Sequence, residues 1–428
     1  MASSPFGDID RSASHGTPIW LDCDTGHDDA FAILVAAHSP ELRLLGISTV
    51  YGNAPLPHTT YNTRAILKAI GREDVPVFPG AERPSFRQPC FAPDIHGASG
   101  LDGTASLPIP TVDARRDMSA VEAMRTAISA EAPRTVCLVA TGALTNIAAL
   151  FESYPGMVDQ IKSLSIMGGA VGGGFTDAPL GTVDDQERFG NWTPVAEFNV
   201  YIDCEAAATI LNNRALAAKT NLVTLDLSHQ FLATNEVRNG LLFGDTTSPR
   251  FEVSMSSASD VRRLFYEIVC FFAKTYAEVF GIGAGPPTHD PLAVFIAFSS
   301  ICSTMKIRAA LVPLGIAVLT SELDEDEQQP QYRYKVEVVT EGDHGSSPEI
   351  LNGPSECGRT IVSGLAGGQQ GVRIPKTLQV NELWARIDSC LRRAERTVAA
   401  QRLAATNSRQ STQRVLHESG GSKPDAAE

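Results

Sequence analysis

Four carboxylates stand close together in the run Asp22-Cys23-Asp24-Thr25-Gly26-His27-Asp28-Asp29, between the apolar Ile19-Trp20-Leu21 and an apolar stretch that begins at Ala30. Neighbouring like charges repel by ~1–4 kcal/mol at intermediate to high effective dielectric, so a chain that gathers them beside a buried strand neutralises them with a cation. Helix capping and the macrodipole account for Asp28 and Asp29 at the start of a helix. They leave Asp22 and Asp24 unexplained, and the cluster points to a metal or catalytic site. An EF-hand loop starting at Asp22 is excluded, because His27 and Ile33 stand where glycine and glutamate are required.

The cluster sits where a short strand over 18–21 passes into a helix over 30–38, and a strand over 44–50 and a helix over 59–70 follow. Strand, helix, strand in that order predicts right-handed βαβ units and a parallel sheet. The alternation continues with a strand at 135–140, a helix at 144–151 and a strand at 163–167 that ends in Gly168-Gly169. In such sheets ligands bind at the C-terminal ends of the strands, where the aspartates lie. Further on come a helix at 205–212, a strand at 221–225, a long helix at 261–279 with one apolar face, an alternating strand at 332–338 and an amphipathic helix from 378 to about 403. The fold class is α/β, with a mostly parallel central sheet and helices on both faces. One domain is expected over 17–404, with a disordered N-terminus over 1–16 and a disordered polar tail over 405–428.

Composition narrows the partners. Acidic residues number 49 against 35 basic ones, a net charge of −14, with no Lys/Arg run interleaved with aromatics, so polymeric nucleic acid is not expected as a partner. The 8 cysteines are dispersed without a CxxC pair and read as reduced thiols. No stretch has the length and apolarity of a membrane span, and a cytoplasmic protein without a membrane partner is expected.

The run DCDTGHDDA closely resembles the N-terminal signature of the inosine-uridine-preferring nucleoside hydrolases. The resemblance recurs to about Ala293: in Ser48-Thr49-Val50-Tyr51-Gly52-Asn53, His96-Gly97-Ala98-Ser99-Gly100-Leu101, Ala140-Thr141-Gly142-Ala143-Leu144-Thr145-Asn146, Asn191 with Val195-Ala196-Glu197-Phe198-Asn199, and Thr288-His289-Asp290-Pro291. Six ordered matches in compatible strand and turn contexts are a specific signal.

The resemblance implies calcium-dependent hydrolysis of the N-glycosidic bond of ribonucleosides of the uridine and inosine class, a nucleoside-salvage role and a homo-oligomer. Asp24, Asp29, Asp290 and the Thr141 carbonyl would bind Ca²⁺, all of them oxygen donors suited to it. Asp28, Asn53, Asn191, Glu197 and Asn199 would hold the ribose, and His96 would lie on a mobile loop that closes over the substrate. Asp24 would take the proton of the attacking water, with Asp22 as its supporting acid. His289, a side chain that ordinarily titrates near neutrality, would protonate the departing base.

Two alternatives stay open. A haloacid dehalogenase-type, Mg-dependent phosphotransferase also places two aspartates at this spacing, Asp22 and Asp24, but expects Thr or Val at Gly26. The other is a non-catalytic nucleoside- or calcium-binding protein. The irregular segment 170–192 is longer than the family's usual connection, and Gly172-Gly173-Gly174 within it lacks the strand-to-helix context of a dinucleotide fingerprint. The acidic run 321–331 reads as a solvated loop, and 240–257 as an insertion. His229 has no assigned role. The aromatics Phe265, Tyr266, Phe271, Phe272 and Tyr276 have helical spacing that suits core packing more than base stacking; Tyr276 is the one to test, because its helix leads towards His289.

Overall fold

The computed structural model describes residues 16–183, 186–244, 258–298 and 333–419. Its centre is β1 (Thr17–Cys23), whose TPIWLDC sequence is buried on both faces beyond its first residue, as an inner parallel strand must be. On one side β1 pairs in parallel with β2 (Leu42–Thr49), and β2 with β3 (Val77–Pro79). On the other lie β4 (Val136–Ala140), β5 (Ile161–Met167) and β8 (Thr220–Val223), also parallel. The sheet is completed by β9 (Arg333–Val338), β10 (Thr360–Gly364) and β11 (Val372–Arg373), in the order β10-β9-β11-β8-β5-β4-β1-β2-β3. Among these strands β9 alone runs opposite to the rest, antiparallel to both β10 and β11. The mostly parallel α/β sheet is therefore as the alternation predicts.

Successive side chains of a strand face opposite ways, and the two faces of this sheet feed two cores. Ile19, Leu21 and Cys23 of β1 join Cys137 and Val139 of β4 on one face, while Trp20 joins Val136, Leu138 and Ala140 on the other. Trp20 is accommodated by Gly46 on β2, where an added Cβ would lie 2.6 Å from the indole ring. On the first face the helix Asp29–His38, buried throughout, is packed between the helix Asp290–Phe298 and the closing helix. A helix apolar all round belongs in such an interior position.

The closing helix runs Val380–Ser419, past the expected domain end at 404. Leu383, Ile387, Leu391 and Ala394 make its buried stripe at helical spacing. Arg262 ties it to the helix Asp260–Phe280, pairing with Asp388 at 2.9 Å and Glu395 at 3.1 Å while donating to the Leu241 carbonyl. Other boundaries move by a residue or two. The expected strand over 221–225 stops at Val223, and a short helix, Leu225–Ser228, takes over. The segment 170–192 is irregular apart from the paired β6 (Thr182–Val183) and β7 (Gln186–Glu187). The 321–331 run and 245–257 of the insertion lie outside the described residues. Among those described, no helix is long and apolar enough to cross a membrane.

Candidate active site

The C-terminal ends of β1, β2 and β4 meet at the acidic run. Asp22, still on β1, accepts hydrogen bonds on Oδ1 from Ser48 Oγ and from Asn146 Nδ2, the latter at 2.8 Å. Asp24, just past the strand, accepts from the Asn53 backbone N–H at 2.8 Å. Glycines make room for its carboxylate: a Cβ on Gly52 would come within 2.1 Å of one oxygen, and one on Gly142 within 2.7 Å of the other. Asp29 opens the helix Asp29–His38 and accepts from Gly26 N–H at 2.8 Å, Asn53 Nδ2 at 3.1 Å and Thr141 Oγ at 2.9 Å. Asp28 accepts from the His289 N–H at 3.2 Å, and Asp290 begins the helix Asp290–Phe298.

All five carboxylates are buried. Burial pushes Asp22 up to about 7 against the lowering effect of its hydrogen bonds from Ser48 and Asn146, and burial plus Asp29 pushes Asp28 to about 7. Asp24 and Asp290 are raised well above the ordinary carboxylate range by burial and their acidic neighbours, and Asp29 is raised by burial. Desolvated carboxylates in mutual contact are unfavourable as anions unless a positive charge joins them. The donor set fits one. Asp28, Asp29 and Asp290 each bring an oxygen within 4.8 Å of the others'. One oxygen of Asp24 and one of Asp22 are buried with no hydrogen-bond partner, and Thr141 lines the neighbouring cleft. A site made only of carboxylate and carbonyl oxygens suits a hard divalent cation. The closest trio contains Asp28, which the resemblance assigns to the sugar, in place of Asp24.

Above these acids lies a cleft lined by Asp28, Asn53, His96, Thr141, Asn191, Glu197, Asn199, His289 and Asp290, so the structure brings the sequence-assigned residues to one place, with Asp24 and Asp29 beneath. Glu197 is held hard: it caps the helix Phe198–Ile202 by accepting from the Asn199 and Val200 N–H groups, and it also accepts from Gly169 N–H at 2.9 Å. Burial raises its pKa. Asn199 Nδ2 donates to the Thr141 carbonyl at 2.8 Å, and Asn191 Oδ1 accepts from Phe198 N–H at 2.8 Å. Asn191 thus belongs to the cleft despite the long segment before it.

The opposite wall is aromatic. Phe272, Tyr276 and Phe280 line it from the helix Asp260–Phe280, while Phe265 of the same helix packs edge-on against Phe31 in the core. The helix therefore serves both core and cleft. His289 sits between two hydroxyls, Ser228 Oγ at 2.7 Å from Nδ1 and Tyr276 OH at 2.7 Å from Nε2. Burial holds His289 well below its ordinary pKa. Titration near neutrality, the property expected of it from its residue type, is removed by desolvation, and the ring is neutral at pH 7.

His96 ends a short helix, Pro93–His96, and is buried. Its Nδ1 meets His27 Nδ1 at 3.1 Å, which ties its loop to the acidic run. His27, Ser228 and Phe280 were not singled out by sequence reasoning. His27 was visible inside the acidic run, and Ser228 stood beside His229, which drew attention without a role. His229 meets the Pro179 carbonyl at 2.7 Å, and its ring centre lies 5.4 Å from that of His289.

The phosphotransferase alternative gives way on this geometry. Asp22, its nucleophile, is wholly buried and tied to Ser48 and Asn146.

Residues 19–385 match the family described as inosine-uridine preferring nucleoside hydrolase. A uridine nucleosidase of Saccharomyces cerevisiae is 43% identical over 280 residues, which span 65% of this chain and 74% of that protein. A pyrimidine-specific ribonucleoside hydrolase of Citrobacter koseri is 36% identical over 277 residues, 65% of this chain and 78% of that one. Among solved structures, a purine-preferring ribonucleoside hydrolase from Gardnerella vaginalis superposes with a TM-score of 0.64 at 23% identity, covering 88% of this chain and 99% of that chain. At that identity the likeness speaks for the fold.

Proposed function

Because this chain belongs to the inosine-uridine preferring nucleoside hydrolase family and is a ribonucleoside hydrolase, we propose that it acts with calcium on uridine and inosine, uridine first, in cytoplasmic nucleoside salvage. The observation that carries the metal reading is the buried set of carboxylates with unpartnered oxygens under a cleft open to a sugar. Uridine is placed first because relatives at 43% and 36% identity are a uridine nucleosidase and a pyrimidine-specific hydrolase. The cytoplasm suits the free thiols of the described cysteines. The homo-oligomer implied by the family resemblance belongs to the same reading.

Asp24, Asp29, Asp290 and the Thr141 carbonyl would hold the ion, with Asp28 close enough to share its charge. Bound there, calcium supplies the positive charge that keeps these carboxylates ionised and the Lewis acidity that favours oxygen ligands. Asn53, Asn191, Glu197 and Asn199 then bind the ribose hydroxyls, joined by Asp28. Water adds to C1′ as the C1′–N bond breaks, giving ribose and free base through an oxocarbenium-like sugar whose positive charge the acidic floor favours. Asp24 accepts the water's proton on its unpartnered oxygen. The Tyr276 hydroxyl would give its proton to the departing base; the phenolate left behind would accept a hydrogen bond from His289 Nε2–H while Ser228 Oγ–H donates to Nδ1, and solvent would restore the proton.

The test is a panel of uridine, inosine, cytidine and adenosine, assayed for reducing sugar with and without a calcium chelator. Release from uridine that chelation abolishes and calcium restores is the expected result. Full activity in chelator would remove calcium from the mechanism, and no release from any nucleoside would sink the substrate assignment.

A further inference from the structure

His27 lies within the acidic run but points away from the acids, into the aromatic wall. Its ring is stacked against Phe271 and Phe272, with centroids 5.2 and 5.4 Å away and interplanar angles of 7° and 4°. Its two nitrogens reach the two ends of one loop. Nε2 lies 2.9 Å from the backbone carbonyl of Asp102, and Nδ1 lies 3.1 Å from His96 Nδ1. The loop between them is drawn tight on itself: the Asp102 N–H donates to the His96 carbonyl at 3.1 Å, and the Asp102 carboxylate accepts from the N–H groups of Ala98 and Ser99 and from Ser99 Oγ.

These contacts determine where the protons are. A backbone carbonyl can only accept, so the His27 nitrogen facing it, Nε2, carries a hydrogen. In a neutral ring Nδ1 is then bare. The close Nδ1 to Nδ1 contact needs one hydrogen between the rings, and only His96 is left to provide it. Both rings are buried among phenylalanine side chains, where a neutral imidazole is the form that costs least. His96 therefore bears its proton on Nδ1. Its Nε2 is bare, has no protein partner among the described residues, and belongs to a ring that lines the cleft.

Building on the reading that His96 meets the nucleoside, we propose that His27 is a positioning residue: it clasps the His96–Asp102 loop shut and sets the His96 tautomer, so that His96 presents a hydrogen-bond acceptor to a donor group of the substrate. His96 then cannot be the acid that protonates the departing base. That duty is left to the Tyr276–His289 side, and the two histidines of the cleft have opposite hydrogen-bonding roles. In a neutral imidazole the partner of one nitrogen decides what the other can do, and here the chain supplies that partner from its own acidic motif.

The tautomer can be read directly by long-range ¹H–¹⁵N correlation on the full chain, ¹⁵N-labelled at histidine, in calcium-containing buffer without substrate; His96→Asn identifies the His96 signals. A protonated Nδ1 with a bare, deshielded Nε2 is expected for His96. A proton on Nε2 overturns the proposal. This readout needs no turnover, so it stands or falls separately from the substrate assignment. Kinetics supply the second arm. His27→Phe keeps the stacking and loses both hydrogen bonds, and should lower kcat/KM for uridine by about tenfold to a hundredfold, the usual effect of removing a partner that orients an active ring. His27→Gln can donate to the Asp102 carbonyl and accept from His96, and should recover most of that loss. Undiminished activity in His27→Phe, or a Gln variant as impaired as the Phe one, overturns the role, and if His27→Phe fails to fold the tautomer measurement still decides.

Discussion

The floor and the aromatic wall of the cleft are built by different means. On the floor, three of the carboxylates are each aimed by a backbone N–H at a strand end or helix start, Asn53 N–H for Asp24, Gly26 N–H for Asp29 and His289 N–H for Asp28, with side chains adding to Asp29 and holding Asp22. On the wall, side chains aim one another, as Tyr276 and Ser228 do for His289 and His27 does for His96. A group held by backbone moves only if the fold moves. A group held by another side chain can be altered by one substitution. The sugar end should therefore be strict and the base end tunable, in both substrate choice and response to mutation.

The largest expected effect falls on the floor. Asp24→Asn keeps the size of the side chain and the acceptor for Asn53 N–H while losing the proton acceptor, and kcat/KM should drop on the order of 10⁴-fold, the upper range for a positioned base. Circular dichroism and melting should be close to wild type. A variant within tenfold of wild type would move the base to another carboxylate of the Asp28, Asp29 and Asp290 trio. Next comes substrate editing: 2′-deoxyuridine or 3′-deoxyuridine should lose on the order of 10³-fold in kcat/KM, because buried partners are left unpaired where the hydroxyl was. Replacing uracil by hypoxanthine should cost far less. If the base swap proves the costlier change, the contrast between floor and wall is reversed.

The same contrast governs how much could be read from the chain. The acids, Thr141 and Asn53 occupy short motifs at strand ends, where period and turn chemistry place them, and the parallel sheet follows from the alternation of 18–21, 30–38 and 44–50. The partners on the wall are remote in sequence. Ser228 and Tyr276 meet His289 from two separate helices, and nothing local in Asp226-Leu227-Ser228-His229 says that the serine, and not the histidine beside it, holds the His289 ring. The depressed pKa of His289 depends on burial by elements brought together only in the fold. β10 and β11 were missed for a related reason: they are short additions at the sheet's end, and Val372–Arg373 has no period to detect.

On the wall, Tyr276→Phe removes one hydroxyl while leaving the ring that packs 4.7 Å from Phe272 and 4.9 Å from Phe280. It should lower kcat for uridine by about tenfold to a hundredfold with little change in KM, as expected for a group that helps transfer a proton in the transition state. The converse split, a raised KM with kcat intact, would make Tyr276 a binding residue and take it out of the proton chain.

The smallest effect should be at Phe280, which lines the cleft at the end of its helix and has no polar group to orphan. Phe280→Leu removes part of an aromatic surface near Tyr276 without disturbing any hydrogen bond to the acids or amides of the floor. Hydrophobic pockets discriminate weakly, by ~1–3 kcal/mol for a missing methylene, so the ratio of kcat/KM for uridine to that for inosine should shift by about threefold to tenfold. The penalty for 2′-deoxyuridine relative to uridine should stay as it is in the wild type. That invariance is the sharper half of the experiment, because a substitution that loosened the whole cleft would relax sugar and base selection together. Equal losses on uridine and inosine would make Phe280 a packing residue, and a reduced deoxy penalty would mean that wall and floor are coupled through the helix Asp260–Phe280.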